Sequence, residues 1–255
     1  MSNSPLISII TITYNDLEGL EKTIKSVKDQ VFTDFEYIVI DGGSSDGSAD
    51  YIKKNEADID YWVSESDKGI AGAFNKGIIQ AKGEWVLFLN SGDKLVSSTI
   101  LAEIAPVLKR SPSLNLIYGK INLVNERGEK ISVFGRAFNL KSFKREMTIP
   151  HQAAFHNRKI FEEVGLYDLS YKYCMDYELL LRLKNTDFKF VNLIIANMLA
   201  GGVSQESPKE VYKEFNKVKK KHLKSSWIKL SMDRYENMMR YRLSKLKRAV
   251  LKNKK

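Results

Sequence analysis

The chain has 255 residues, 43% of them hydrophobic and 28% charged, a balance that excludes disordered and fibrous classes and allows one large buried core. Its longest apolar runs, such as Trp85-Val-Leu-Phe-Leu89, are strand-sized and far short of the roughly 20 residues that span a bilayer. The opening Met1-Ser-Asn-Ser-Pro5 lacks the features of a secretory signal, and the one cysteine, Cys174, cannot form an internal disulfide, so a reducing, cytoplasmic compartment is expected.

The formal charge of +10 is unevenly distributed. Residues 209–255 carry 17 Lys and Arg against 4 Asp and Glu, whereas residues 1–208 carry 24 against 27. A nearly neutral body of residues 1–208 with a strongly basic tail of residues 209–255 points to an electrostatic partner for the tail.

In chain order, Leu6–Ile12 reads as a buried strand, β-branched and bounded by Pro5 and Tyr14-Asn15-Asp16. Asp16 predicts a helix N-cap, and Leu17, Leu20, Ile24, Val27 and Val31 recur at three and four to form one apolar stripe. Phe35–Ile40 is the next strand, followed by the sharp turn Asp41–Gly47, a short helix through Tyr51-Ile52 and a strand near Tyr61–Val63. A helix over Ala71–Ala81 and a fourth strand over Trp85–Leu89 follow. This alternation predicts a parallel sheet with right-handed crossovers. In such sheets ligands bind at the carboxyl ends of the strands, which points to Thr13–Asp16, Asp41–Gly47 and Asn90–Asp93.

Further on, Leu116–Leu123 and Ile131–Phe134 predict a β-hairpin. Pro150–Phe155 reads as a loop or edge strand, Arg158–Val164 as a short helix ended by Gly165, Met175–Leu183 as a helix and Phe188–Ile195 as a late strand. Gly201-Gly202 and Pro208 punctuate the chain before the tail.

Several chemistries lack their residues. There is no Gly-Lys-Ser/Thr phosphate loop, no dinucleotide-binding glycine spacing and no Gly-x-Ser-x-Gly elbow. The three histidines, His151, His156 and His222, lack zinc-helix spacing, and His156 and Cys174 read as structural. What remains is carboxylates, amides and an aromatic ring at strand ends. Tyr14 offers an aromatic face beside the hydrogen-bonding groups of Thr11, Asn15 and Asp41.

The ordered set Thr11-x-x-Tyr14-Asn15, Asp41-Gly-Gly-Ser-x-Asp46-Gly47, Ser64-Glu-x-Asp67-Lys68-Gly69, Asn75-Lys-Gly77, Asn90-Ser-Gly-Asp93 and Asp176-Tyr-Glu178 resembles the family 2 glycosyltransferases, especially bacterial enzymes of exopolysaccharide, capsule and O-chain synthesis. The resemblance covers about residues 5–200. It implies a GT-A fold, Rossmann-like, with a mixed, mostly parallel sheet flanked by helices, here with a basic helical extension at the C-terminus. It also implies an inverting transfer from a nucleotide-diphosphate sugar to a saccharide or lipid-linked saccharide acceptor.

By this resemblance Thr11, Tyr14, Asn15 and Asp41 would form the pocket for the nucleotide base. Asp67, Lys68 and Asn75 would meet the nucleotide and donor sugar, and Asn90 and Asp93 the diphosphate, with Asp93 holding Mg2+ or Mn2+. His151 would border the acceptor or the diphosphate. Asp176 would be the catalytic base that takes the acceptor hydroxyl's proton. Glu178 competes for that role, but it points away from Asp176 on a helix and its spacing to Arg182 predicts a surface ion pair. Acids common in the family are absent at Asn90 and Gly92, which predicts weak metal binding, and at Gly42, which leaves the base identity open, and Met175 stands where a further acid is common.

In the tail, Trp227, Leu230, Tyr235, Met238, Met239, Leu243, Leu246 and Val250 form an apolar stripe with Arg and Lys on the other faces. A basic amphipathic helix fits an anionic membrane surface at the inner face of the cell membrane, or packing on the domain or a second copy in a homodimer. Nucleic acid is the third reading, without a nucleic-acid module in the body. Two rivals to a transferase are a sugar-phosphate nucleotidyltransferase, which would want a Gly- and Lys-rich first loop, and a non-catalytic adaptor on a decayed transferase domain.

Overall fold

The computed structural model describes residues 4–202 and 207–226. The first strand, β1 (Ile7–Thr13), is followed by α1 (Leu17–Lys28), β2 (Phe35–Asp41), α2 (Ser48–Lys54), β3 (Tyr61–Ser64), α3 (Gly69–Gln80) and β4 (Trp85–Phe88). Asp16 caps α1 as the sequence predicts, its Oδ1 accepting from Gly19 N at 3.1 Å. The stripe outruns the helix, and Val31 is left exposed past its end.

The two-residue β5 (Lys94–Leu95) then leads to α4 (Ile100–Lys109), which has no counterpart among the expected elements. Pro106 inside α4 breaks the helical pattern locally, yet Ile100, Leu101, Ile104 and Leu108 bury on the sheet and hold it. The expected hairpin forms from β6 (Leu116–Val124) and β7 (Lys130–Phe134), antiparallel. The short helix α5 (Leu140–Phe143), a 3-10 turn over His151–Ala153, β8 (Ala154–Asn157), α6 (Lys159–Val164), α7 (Met175–Arg182), β9 (Phe188–Leu199) and α8 (Pro208–Leu223) complete the order.

All nine strands among the described residues join one sheet in the order β3-β2-β1-β4-β8-β6-β9-β5, with β7 paired to β6. Strands β3, β2, β1 and β4 run parallel, and β8 is antiparallel to both its neighbours. The reading of Pro150–Phe155 as a loop or edge strand is corrected here. Pro150 precedes the 3-10 turn, so β8 beyond it loses no ladder bond to proline and sits between β4 and β6 with all four residues buried.

Both faces of the sheet are covered. Leu20, Ile24, Val27, Ile52, Ile104 and Leu108 from α1, α2 and α4 pack with Ile7, Ile9 and Leu87 on one face. Phe74, Ile78, Phe161, Leu179, Leu180 and Val218 from α3, α6, α7 and α8 pack with Ile10, Ile38 and Phe88 on the other. Gly77 lets α3 approach β1, since a Cβ there would lie 2.5 Å from Ile10 Cγ2. The chain order reverses between β1 and β4, which opens a crevice beyond their carboxyl ends. Among the described residues no helix is long and apolar enough to cross a membrane.

Candidate active site

The loops after β1, β2 and β3 are held together by a small set of polar side chains. Asp41, fully buried at the end of β2, accepts from Ser44 N at 3.0 Å and Ser64 Oγ at 2.5 Å through Oδ2, and Ser44 Oγ bonds to its Oδ1. Asn15 adopts a left-handed φ of 50°, which lets its N–H donate to Ser44 Oγ at 2.7 Å while its Oδ1 accepts from Ser45 N at 2.9 Å.

Tyr14 is 66% exposed and lies against Gly42. A Cβ at Gly42 would come within 2.9 Å of Asp67 Oδ2 and 3.2 Å of Tyr14 Cδ2. Tyr14, Asp67 and the backbone of Gly42 therefore share one corner. Asp67 Oδ1 is taken up by Gly69 N at 2.7 Å, at the start of α3, beside the exposed Lys68. Thr11 stands apart from this group, fully buried in β1 with its Oγ1 accepting from the Tyr37 hydroxyl at 3.0 Å.

Beyond β4, the Asn90–Asp93 turn is strapped to α1. Thr23 Oγ1 donates to the Asp93 carbonyl at 2.7 Å, and Ser91 Oγ donates to Asp16 Oδ2 at 2.8 Å. The Asp93 carboxyl is buried, accepts from Leu199 N at 3.2 Å and takes a bond from the Gln152 side chain. Burial pushes its pKa up to about 7 despite those bonds. Asn90 Oδ1 is buried with no hydrogen-bond partner, an unsatisfied acceptor beside the turn. Among the described residues no three His, Cys, Asp or Glu side chains converge as a metal cage. One buried carboxyl and one unsatisfied amide oxygen would suit only a hard cation that draws its other ligands from a bound diphosphate and water.

Asp176 lies in the first turn of α7, partly buried, its Oδ1 accepting from Tyr177 N at 2.7 Å. Burial pushes its carboxyl up to about 6, and burial, with a smaller contribution from the Asp176 charge, raises the Tyr167 phenol well above its usual range. The Tyr167 hydroxyl shares a 2.9 Å hydrogen bond with His151 Nε2. His151 stacks on Phe88 at 4.7 Å between ring centroids, and burial holds it neutral, well below the usual imidazole range. Its chain neighbour Gln152 reaches Asp93. Asp93 is thus joined to Gln152, and the adjoining His151 to Tyr167, while Tyr167 lies within electrostatic reach of Asp176.

Asn75 is joined to Tyr167 as well. Its amide donates to the Tyr167 carbonyl and accepts from Tyr167 N, both at 2.9 Å. Glu178 differs from the expected surface carboxylate: its ion pair with Arg182 exists at 3.0 Å, but α8 covers it, and Glu178 is fully buried. Sequence reasoning passed over Ser44, Ser64, Gln152 and Tyr167. The serines stand inside the quoted motifs and were legible as partners for Asp41, whereas Gln152 and Tyr167 meet the site only through folding.

Comparison with known proteins agrees with this geometry. The model of the glycosyl transferase family 2 matches residues 8–165. The chain is 34% identical over 189 residues to an uncharacterised glycosyltransferase of Mycobacterium tuberculosis, covering 71% of this chain and 70% of the relative. It is 30% identical over 182 residues to a PGL/p-HBAD biosynthesis glycosyltransferase of Mycobacterium bovis, covering 70% of each. Residues 1–349 of S. aureus TarS, solved with UDP-GlcNAc, superpose with a TM-score of 0.68 at 17% identity, over 89% of this chain and 69% of that one. This chain covers only 39% of a longer TarS structure. A mannosyltransferase of Pyrobaculum calidifontis, solved with GDP-Man and Mn2+, gives a TM-score of 0.56 at 18% identity, over 86% and 62%. Residues at the carboxyl ends of a GT-A sheet, the matched family model and these relatives lead to one assignment: the chain is a glycosyltransferase and belongs to glycosyl transferase family 2.

Proposed function

We propose that this enzyme moves a sugar, with inversion, from a nucleoside-diphosphate sugar to a saccharide or lipid-linked saccharide in the assembly of a cell-surface glycan. The observation that supports the reading is the sequence of links from Asp93 to Gln152, from His151 to Tyr167, and by charge from Asp176 to Tyr167, which relates a diphosphate-side carboxyl to a candidate base. The names of the relatives support the wider role, since one serves PGL/p-HBAD biosynthesis and TarS is solved with UDP-GlcNAc.

In this reading Tyr14 stacks on the base, and Asp41 and Asn15 hold the loop that surrounds it. Asp67 keeps Oδ2 free of the bond to Gly69 and offers an acceptor beside Tyr14, while Lys68 reaches the donor from the start of α3. Asn90 and Asp93 would hold Mg2+ or Mn2+ together with the diphosphate. When bound, such a cation neutralises the charge that builds on the leaving group. His151, neutral and fixed by Tyr167, shapes the wall between donor and acceptor and brings no charge to it.

Asp176 takes the proton from the acceptor hydroxyl as that oxygen attacks the anomeric carbon. The bond from that carbon to the phosphate oxygen breaks, and its electron pair leaves with the diphosphate. A single displacement of this kind inverts the anomeric centre. Holding both substrates in line is most of the protein's contribution.

Replacing Asp176 by Asn tests this. Turnover should fall on the order of 10³-fold, as for loss of a general base, while the dissociation constant for the donor nucleotide stays within about twofold. The base must be ionised to act, so with its pKa in the free enzyme pushed up to about 6 the kcat/KM of the natural chain should drop as pH falls through about 6 and level off above it. Turnover close to that of the natural chain in Asp176→Asn would overturn the assignment.

A further inference from the structure

The contacts between α7 and α8 bear on how the proposed base is aimed. The Glu214 side chain on α8 reaches the segment that enters α7. Its Oε1 accepts from Lys172 N at 2.7 Å, and its Oε2 accepts from Tyr173 N at 2.7 Å and Cys174 N at 3.0 Å. Three consecutive backbone N–H groups just before Asp176 thus converge on one carboxylate carried by a distant helix. The helix lacks a cap of its own, because Cys174 at the N-cap position makes no side-chain capping bond.

The same two helices are joined at three further points. Cys174 Sγ lies 3.6 Å from the Val211 carbonyl, and Tyr177 meets Phe215 at 5.0 Å between ring centroids. Midway along α7 the buried Glu178 bonds to His222 Nε2 at 2.8 Å and to Lys221 Nζ at 3.3 Å. The first half of α7 and the segment that leads into it are therefore pinned to α8, and Glu214 is the pin on the backbone just before Asp176.

We propose that Glu214 is a positioning residue for transfer: by gathering the N–H groups of Lys172, Tyr173 and Cys174 it sets the first turn of α7 and so the direction of the Asp176 carboxylate. This rests on the reading of Asp176 as base. The start of the basic segment thereby acts on the chemistry from inside the fold. A side chain that only supported the fold would affect stability and donor binding together. One that aims the base affects the chemical step alone, because displacements of about 1 Å in a reacting group can cost on the order of 10²-fold in rate.

The experiment compares Glu214→Gln and Glu214→Ala, each alone and combined with Asp176→Asn, reading kcat, donor KM and melting temperature. Gln keeps one acceptor oxygen but turns an N–H2 towards either Lys172 N or the Tyr173 and Cys174 pair, so it should be intermediate. Expected is a fall in kcat of about tenfold for Gln and about 100-fold for Ala, with donor KM within about twofold. In the Asp176→Asn background the same changes should alter the residual turnover by less than about twofold, since a residue acting through Asp176 has nothing left to aim.

Equal loss in both backgrounds, a rise in KM that matches the fall in kcat, or failure of both variants to fold would each overturn the proposal. The two readings can also fail apart. Active Asp176→Asn would sink the base, whereas inactive Asp176→Asn with unaltered Glu214 variants would sink only the positioning role.

Discussion

At position 42 a side chain would compete for space that Asp67 and Tyr14 already fill, and this explains how the chain does without the second acid common beside Asp41 in its family. The Asp67 carboxylate comes from the next loop to within 2.9 Å of where a Cβ of residue 42 would stand. Restoring the acid should therefore harm the pocket. Gly42→Asp should weaken binding of the donor nucleotide by about ten- to 100-fold, the equivalent of the roughly 1–3 kcal/mol that overpacking costs. Calorimetric titration with a panel of nucleoside diphosphates checks this, and tighter binding would show that Asp67 yields its place. Asp93 illustrates a different cost at the same scale. Its pKa is pushed up to about 7, so the folded chain holds a proton that the unfolded chain has released by pH 6. The free enzyme gives up stability as pH rises from about 4 to 7 in order to keep that carboxyl at the crevice.

Helix α3 and the segment around Tyr167 are joined by Asn75. Two hydrogen bonds at 2.9 Å to the backbone of Tyr167 fix its amide and leave one N–H and one lone pair for a ligand. Asn75→Ala would strand both partly buried backbone groups, at about 1–3 kcal/mol. The melting temperature should fall by several degrees, and kcat should fall further than donor affinity, because Tyr167 bonds to His151 and lies within electrostatic reach of Asp176. Thermal melting paired with steady-state kinetics separates these effects. An unchanged melting temperature would return Asn75 to the role of a donor ligand.

Across the whole molecule, charge and packing divide the basic segment. The residues of α8 lie against α7, with Val218 buried in the core and Glu178 enclosed beneath Lys221 and His222. The stripe from Trp227 to Val250 lies outside the described residues, and residues 227–255 carry 10 Lys and Arg against 2 Asp and Glu. We expect the full chain to sediment with vesicles containing anionic lipid at about 0.05 M salt and to be released at about 0.5 M, as a surface charge contact should be. Removal of residues 227–255 should abolish sedimentation and leave the melting temperature within about 2 °C. A chain cut before α8 should melt far lower, because it uncovers Glu178 and the ring of Tyr177. Vesicle binding that survives the first truncation would place the contact elsewhere.

Local pattern was enough to define most elements and the three strand-end loops. Strand β1, the Asp16 cap and the β6–β7 hairpin each follow from residues within a few positions of one another, where periodicity, capping and turn chemistry act. Long-range partners decided the rest. Whether Ala154–Asn157 is an edge or a centre depends on β4 and β6 arriving on either side, and whether Glu178 faces water depends on α8, some 30 to 45 residues later. The residue types at the crevice were legible for the same reason that their bonds were not. Polarity at a strand end is written in the sequence, but the engagement of Thr11 with Tyr37, of Asn75 with Tyr167 and of Asp93 with Gln152 and Leu199 arises only when separate elements pack and every buried polar group must find its partner.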